Sequence, residues 1–347
     1  MRTLRLAAVL PLVLVALMGA TTQEGDEPAK LPLAEAAARV SGEIKGSILV
    51  YPGLKGEVKL PDRSLEPLEQ VRFIADQVGA SVWPFGTASF LLTASRPVKG
   101  IFEDAPVSRV LDEVSTKMGV DLVYLSSTAK TVSIEGRGDT ALTFLERVCG
   151  EADLVLIRER GLILRFSTEE HEKRLAARPL ADETLAALGL GLSVGKKDAV
   201  VSLDFAETAV SEIVALIAEK AGISIEVEER VAPAEISLRM KDAPWKDALE
   251  AVSILSEAAI WDDGKGVVSL RRIPRITMEF SGADTGIVLD LIARNAEVDL
   301  EISEELEGVV SLNLRNVAWR DAVYTLSRCH PFHLELSKDG KLVAKGM

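Results

Sequence analysis

The sequence predicts an α+β fold made of tandem copies of a small βαββαββ module, each with two helices packed between small sheets. Three observations predict it. Apolar residues alternate between the two-residue step of a strand and the 3.6-residue step of a helix. Val201, Leu203 and Phe205 read as a strand, and Val210, Ile213, Val214 and Ile217 as the buried stripe of a helix. A strand-to-helix corner, Met240-Lys241-Asp242-Ala243-Pro244-Trp245-Lys246-Asp247-Ala248-Leu249, returns as Leu314-Arg315-Asn316-Val317-Ala318-Trp319-Arg320-Asp321-Ala322-Val323. The corners lie 74 residues apart and the elements before them 75 apart, a fixed period that marks a repeat architecture.

Taken in order, the chain opens with Arg2 and Arg5, the apolar run Leu6–Leu17 and the small pair Gly19-Ala20, which read as a signal peptide over residues 1–20. That run is shorter than the ~18–20 residues a membrane-spanning helix needs. No cysteine stands at the junction for lipid attachment. The expected product is periplasmic, not a lipoprotein, and free of integral spans after cleavage. Residues 21–31 read as a disordered linker. Module 1 (32–95) has a helix over 33–43, strands at Ile48–Val50 and Glu57–Leu60 around Pro52-Gly53, a helix over 64–78, and strands at 81–84 and 89–93; its opening strand is missing or very short. Module 2 (96–167) matches Phe205 with Phe102 and Gly222 with Gly119; Ala141-Leu142 stands for Ala248-Leu249, which puts Gly138 at the tryptophan position.

Residues 168–198 read as a helical spacer whose end is loosened by Gly189-Leu190-Gly191, dividing the protein into two pairs of modules. Module 3 (199–273) is the clearest copy. Gly222 ends its first helix, and a third strand at 235–240 leads to the Trp245 helix, which runs to about Ala258. Pro244 suits the first turn of that helix, and Asp242 its cap. Module 4 (274–347) repeats this order with Phe280 and Trp319. Phe205, Gly222, Pro244, Trp245, Ala248, Leu249, Phe280, Trp319 and Ala322 are therefore the residues that define the motif, expected to fill cores or module seams.

Over 347 residues, 48% are hydrophobic and 27% charged, as in a folded protein. Removal of Arg2 and Arg5 with the signal takes the net charge from −13 to −15. A surface this acidic repels phosphate backbones, so nucleic acid is not an expected partner. Cys149 and Cys329, the two cysteines, are expected to be buried as small hydrophobes.

Residues 201–270 resemble the short N-terminal domain shared by secretins and TonB-dependent signalling receptors, the secretin N0-like domain. The matching residues are Leu203-Asp204-Phe205, Ile223–Val227, Ala243-Pro244-Trp245-Lys246-Asp247-Ala248-Leu249 and Val267–Leu270. Residues 276–345 match with Ala318 in place of the proline, 98–166 without the tryptophan, and 33–93 loosely. The resemblance implies a fold of two helices between small sheets and contacts with other envelope proteins in the periplasm. It does not extend to the secretin barrel, for which no segment has the length, so a pore function does not carry over. The expected function is a non-catalytic adaptor or scaffold, with homo-oligomerisation left open, serving a system related to type II secretion or type IV pili. The alternative is a signal-transducing module as in TonB-dependent receptors, and the third reading an envelope enzyme.

The chemistry-bearing residues are few. His330-Pro331-Phe332-His333 pairs two imidazoles, but Pro331 breaks helical spacing and no third ligand is near. His171 lies in the charged spacer and is expected to be solvated. Gly53-Leu54-Lys55-Gly56 joins two strands, whereas the GXXG of RNA-binding KH domains joins helices, so it reads as a turn. Glu226-Glu228-Glu229 and Glu301-Glu304-Glu305-Glu307 lack the spaced loop of a calcium site. No cofactor, metal or catalytic residue is expected.

Overall fold

A computed structural model describes residues 30–51, 53–85, 89–125, 130–177, 179–190, 199–262, 267–303, 306–329, 332–337, 339 and 341–346. Residues 1–20, expected to be a signal peptide, and most of the expected linker lie outside these residues. The fold is α+β. Module 1 comprises β1 (Leu31–Pro32), α1 (Leu33–Ile44), β2 (Ser47–Val50), β3 (Glu57–Val58), α2 (Pro67–Asp76), β4 (Ala80–Phe85) and β5 (Ser89–Ala94). Module 2 comprises β6 (Val98–Pro106), α3 (Val107–Met118), β7 (Leu122–Leu125), β8 (Thr131–Asp139), α4 (Ala141–Ala152), β9 (Val155–Arg158) and β10 (Leu164–Ser167). Two spacer helices follow, α5 (Glu169–Ala176) and α6 (Asp182–Ala187). Module 3 comprises β11 (Val200–Ala209), α7 (Val210–Ala221), β12 (Ser224–Val227), β13 (Glu235–Pro244), α8 (Trp245–Leu255), β14 (Ala259–Asp262) and β15 (Val267–Arg271). Module 4 comprises β16 (Arg275–Asp284), α9 (Thr285–Ala296), β17 (Leu300–Ile302), β18 (Val309–Ala318), α10 (Trp319–Cys329), β19 (Phe332–Leu336) and β20 (Leu342–Gly346).

One pairing rule holds in all four segments. The first and third strands form an antiparallel ribbon: β1 with β3, β6 with β8, β11 with β13, β16 with β18. The second strand runs parallel to the fifth, which pairs antiparallel with the fourth, as in β12-β15-β14 and β17-β20-β19. The long ribbons are bent by bulges at matching places. Two residues after the aromatic, Asp104, Glu207 and Gly282 take positive φ. Their amides donate to the hydroxyls of Ser133, Ser237 and Ser311 on the partner strand at 3.0, 3.0 and 2.9 Å. A second bulge precedes the corner, where the amides of Asp242 and Asn316 donate to Ser202 Oγ and Thr277 Oγ1, each at 3.0 Å.

That second bulge corrects three expectations. Asp242 is no helix cap: its φ is 48° and its side chain accepts from Ser202 instead. Pro244 is not in the first helical turn but at the N-cap, the last residue of β13, in extended conformation. In module 2 the residue with positive φ is Gly138, at 94°, so Gly138 corresponds to Asp242 and Asn316, and Ala141 holds the tryptophan position. The aromatic bulk moves one helical turn along. Modules 3 and 4 have Trp then Ala at helix positions one and four, and module 2 has Ala141 then Phe144, which is fully buried with its ring 5.8 Å from Phe102.

The motif residues otherwise take core roles. Trp245, Ala248 and Leu249 are fully buried, Trp319 and Ala322 are buried, and Phe205 and Phe280 are half-buried against the same clusters. Gly222 ends α7 with φ 67°, as Gly119 ends α3 with φ 74°, conformations that cost a side-chain-bearing residue more. Some boundaries differ. Pro67 sets the start of α2 at its first turn, α8 ends at Leu255, and the expected long spacer helix is split around Pro179, which cannot donate within a helix.

Trp245 lies in one apolar cluster shared by modules 2 and 3 and part of module 1. Trp245→Ala is expected to lower the stability of the whole chain by about 3–5 kcal/mol, read as a shift of the urea unfolding midpoint without loss of a single transition.

Candidate functional site

The modules are joined by strand addition. β18 of module 4 lies antiparallel beside β7 of module 2, pairing Val310 with Leu125, Ser311 with Tyr124, Leu312 with Val123 and Asn313 with Leu122. The ribbon and the three-stranded sheet thus merge as β16-β18-β7-β10-β9. Around this seam Asn313 donates to Thr116 Oγ1 at 3.3 Å, and the amide of Arg315 donates to Asp121 Oδ1 at 2.7 Å. The Arg315 guanidinium caps the last carbonyls of α3, Ser115 O at 3.0 Å and Thr116 O at 3.4 Å, a favourable place for a cation. Module 3 approaches module 1 in the corresponding way, with β13 beside β2 and the Lys241 amide donating to Ser47 Oγ at 3.3 Å. The pairs in space are therefore 1 with 3 and 2 with 4, interleaved along the chain, rather than two pairs divided at the spacer.

Each three-stranded sheet turns one face to its own helices and a central row of three side chains to the other side. The rows, read across paired residues, are Leu49-Leu91-Trp83 in module 1, Val123-Arg165-Ile157 in module 2, Glu226-Ser269-Trp261 in module 3 and Glu301-Val343-Glu335 in module 4. The edge position of the row is apolar and buried where a ribbon of another module lies beside the edge strand, at Leu49 and Val123, and an exposed glutamate at Glu226 and Glu301, where none does among the described residues. Val123 belongs to the apolar cluster of module 4, with Leu312 opposite it. The edges of β12 and β17 away from β15 and β20 pair with no strand among the described residues.

A polar cavity of about 210 Å³ opens where all four modules meet, lined by Tyr51, Asp121, Glu257 and Arg315 among others. Its arginines are committed to main-chain carbonyls. Arg275 binds Asn316 O at 2.6 Å and Glu257 O at 3.3 Å, and Arg160 binds Leu190 O at 3.3 Å. Arg320, almost fully buried, binds Gly189 O at 3.0 Å and also Ile260 O, with Asp321 3.7 Å away. Burial pushes its pKa down to about 10. The Arg271 guanidinium stacks 3.9 Å above Trp261. A side chain on Gly189 would strike that ring at 2.5 Å, and its φ of 66° favours glycine as well.

The spacer is packed rather than loose at its described end. Arg165, 1% exposed in mid-strand, binds Glu159 at 2.7 Å and Glu172 of α5 at 2.6 and 3.0 Å. His171 is half-buried rather than fully solvated. Its Nε2 lies 2.9 Å from Arg328 O of α10, which ties the spacer to module 4. Leu188 and Leu190 are buried beside α10 and β19, whereas Gly191 lies outside the described residues. Arg165 and Trp261 escaped the sequence reading. Their signal was a charge inside the apolar run Leu162–Phe166 and a lone tryptophan after Ala259-Ile260.

The remaining chemical candidates are dispersed. Cys149 and Cys329 are free buried thiols; burial pushes both pKa values up, that of Cys149 to about 12. His330 and Pro331 lie outside the described residues, and His333 is a half-exposed residue of β19. Gly53–Gly56 connects β2 to β3. Among the described residues no three metal-binding side chains gather, and no helix is long and apolar enough to cross a membrane. No family model matches the chain, and no curated protein matches it.

Burial pushes the Asp121 carboxyl up to about 6, against the opposing pull of the Arg315 amide and nearby guanidiniums. Between about pH 4 and 6 the folded chain holds a proton that the unfolded chain has released, so this group makes stability fall as pH rises through that window. Asp121→Asn keeps an acceptor for the Arg315 amide. It is expected to be more stable than the parent at pH 7, on the order of 1–3 kcal/mol, and equal to it near pH 4, measured by urea unfolding at both pH values.

Proposed function

We propose that the protein is a non-catalytic periplasmic scaffold, built from four secretin N0-like modules that arose from one duplicated unit and bind other envelope proteins. The observation that carries the reading is strand addition inside the chain: β18 completes the sheet of module 2, while β12 and β17 offer the equivalent edges with no strand beside them among the described residues. Unpaired edges are the sites at which an extended segment of another protein adds by main-chain hydrogen bonds. The deep burial of both thiols and the commitment of the junction arginines to carbonyls favour a structural use of these groups over catalysis. A system related to type II secretion or type IV pili is the proposed context, on the resemblance of the Val201–Leu270 residues alone.

Photo-crosslinking residues placed in β12 and β17 and activated in the native envelope are expected to trap a discrete envelope protein, with the same residues on β8 as control. Crosslinks absent from both edges, together with recovery of no envelope protein under mild conditions, would sink the proposal.

A further inference from the structure

Resting on the scaffold reading, we infer that the open edge of β17 takes a bare extended segment of another protein with Lys or Arg beside Glu301, and refuses a further module. The seam between modules 2 and 4 is the template. When β18 adds to β7 it brings α10 with it, and the outer face of the module 2 sheet is sealed under that helix layer. Val123 and its partner Leu312 are both buried in the resulting cluster. Glu301 stands where Val123 stands: fourth residue after the left-handed C-cap of the preceding helix, second in its strand, and paired to the middle strand of its sheet. A module seated there would enclose this carboxylate under an apolar helix layer with the nearby Lys341 already paired to Asp299, and the matching stretch of β8 in a second copy of the chain, Val132-Ser133-Ile134-Glu135, brings an acid and no base.

A single strand carries no helix layer. It uses the same main-chain groups and leaves the outer face wet, so Glu301 keeps its water and gains a cationic neighbour. The surroundings set the sign of that neighbour. Glu301 and Glu307 are exposed, and Asp299 is held by Lys341 at 2.9 Å. Further across the row Glu335 is already paired with Lys345. Cross-strand pairs of opposite charge favour register, and like charges oppose it. At β12 the case is weaker, since Glu228 accepts from the Arg272 amide at 2.7 Å and Arg271 lies on the same sheet.

The test uses the full mature chain and short fluorescent peptides alternating Lys with Val, alternating Glu with Val, or carrying Pro at the centre of the Lys series, followed by anisotropy. The Lys peptide is expected to bind and the Glu peptide to fail, and central Pro to weaken binding by removing a main-chain donor. Glu301→Lys is expected to bind the Lys peptide about tenfold less tightly and to gain binding of the Glu peptide, with an unchanged circular dichroism spectrum and with Glu226→Lys behaving as the parent. Binding unaffected by Glu301→Lys, no binding of any peptide, or a parent chain that self-associates through an interface lost in Glu301→Lys would each overturn the inference. A crosslinked partner whose segment at β17 is not basic would overturn it while leaving the scaffold reading intact.

Discussion

The antiparallel seam between β18 and β7 is the constraint on which the rest of the architecture depends. It fixes a ribbon from the end of the chain against a sheet from its first half, and so places two layers of helices on opposite faces of one five-stranded sheet. Units of this size have small cores and only marginal stability by themselves. The seam solves this by giving Val123 and Leu312 a common apolar interior. The arginines finish the join: Arg315 on the end of α3, Arg275 on β18 and the turn after α8, and Arg320 on the spacer and β14. Guanidiniums suit this work because one planar group satisfies several carbonyls that a helix or strand end leaves over.

The same geometry explains the distribution of charge. An edge strand with a ribbon of another module beside it has Leu49 or Val123 in this row, and an edge strand without one among the described residues has Glu226 or Glu301. Polarity at one position of a short strand thus separates the edges that are consumed inside the molecule from those left to the surroundings.

Much of the layout could be read from residues. The α+β class, the order of elements, the Gly222 helix end and the burial of Trp245, Trp319, Ala322 and Leu249 follow from periodicity and from one repeated corner. What could not be read depends on the main chain or on distant packing. Gly138 was matched to the tryptophan because the Ala-Leu pair was aligned by side chain; the positive φ shared by Gly138, Asp242 and Asn316 sets the correct register and has no single residue type behind it. The meaning of Val123 against Glu226 was invisible because a strand's pattern does not say which of its faces another module will cover. His171 looked solvated because its partner, Arg328 O, is 157 residues away.

Interleaving has a consequence for how the chain is made. Leu49, Leu91 and Val123 lie in the half that is synthesised first, and the ribbons that shelter β2 and β7 come from the half that follows. Until residue 318 has been added, the early half presents apolar sheet faces and bare edges to its surroundings, which favours association with the wrong neighbour. The late half carries its own acidic covering from the start. A chain kept from folding until both halves are present meets this hazard once, and the early half then finds its cover at the moment it collapses.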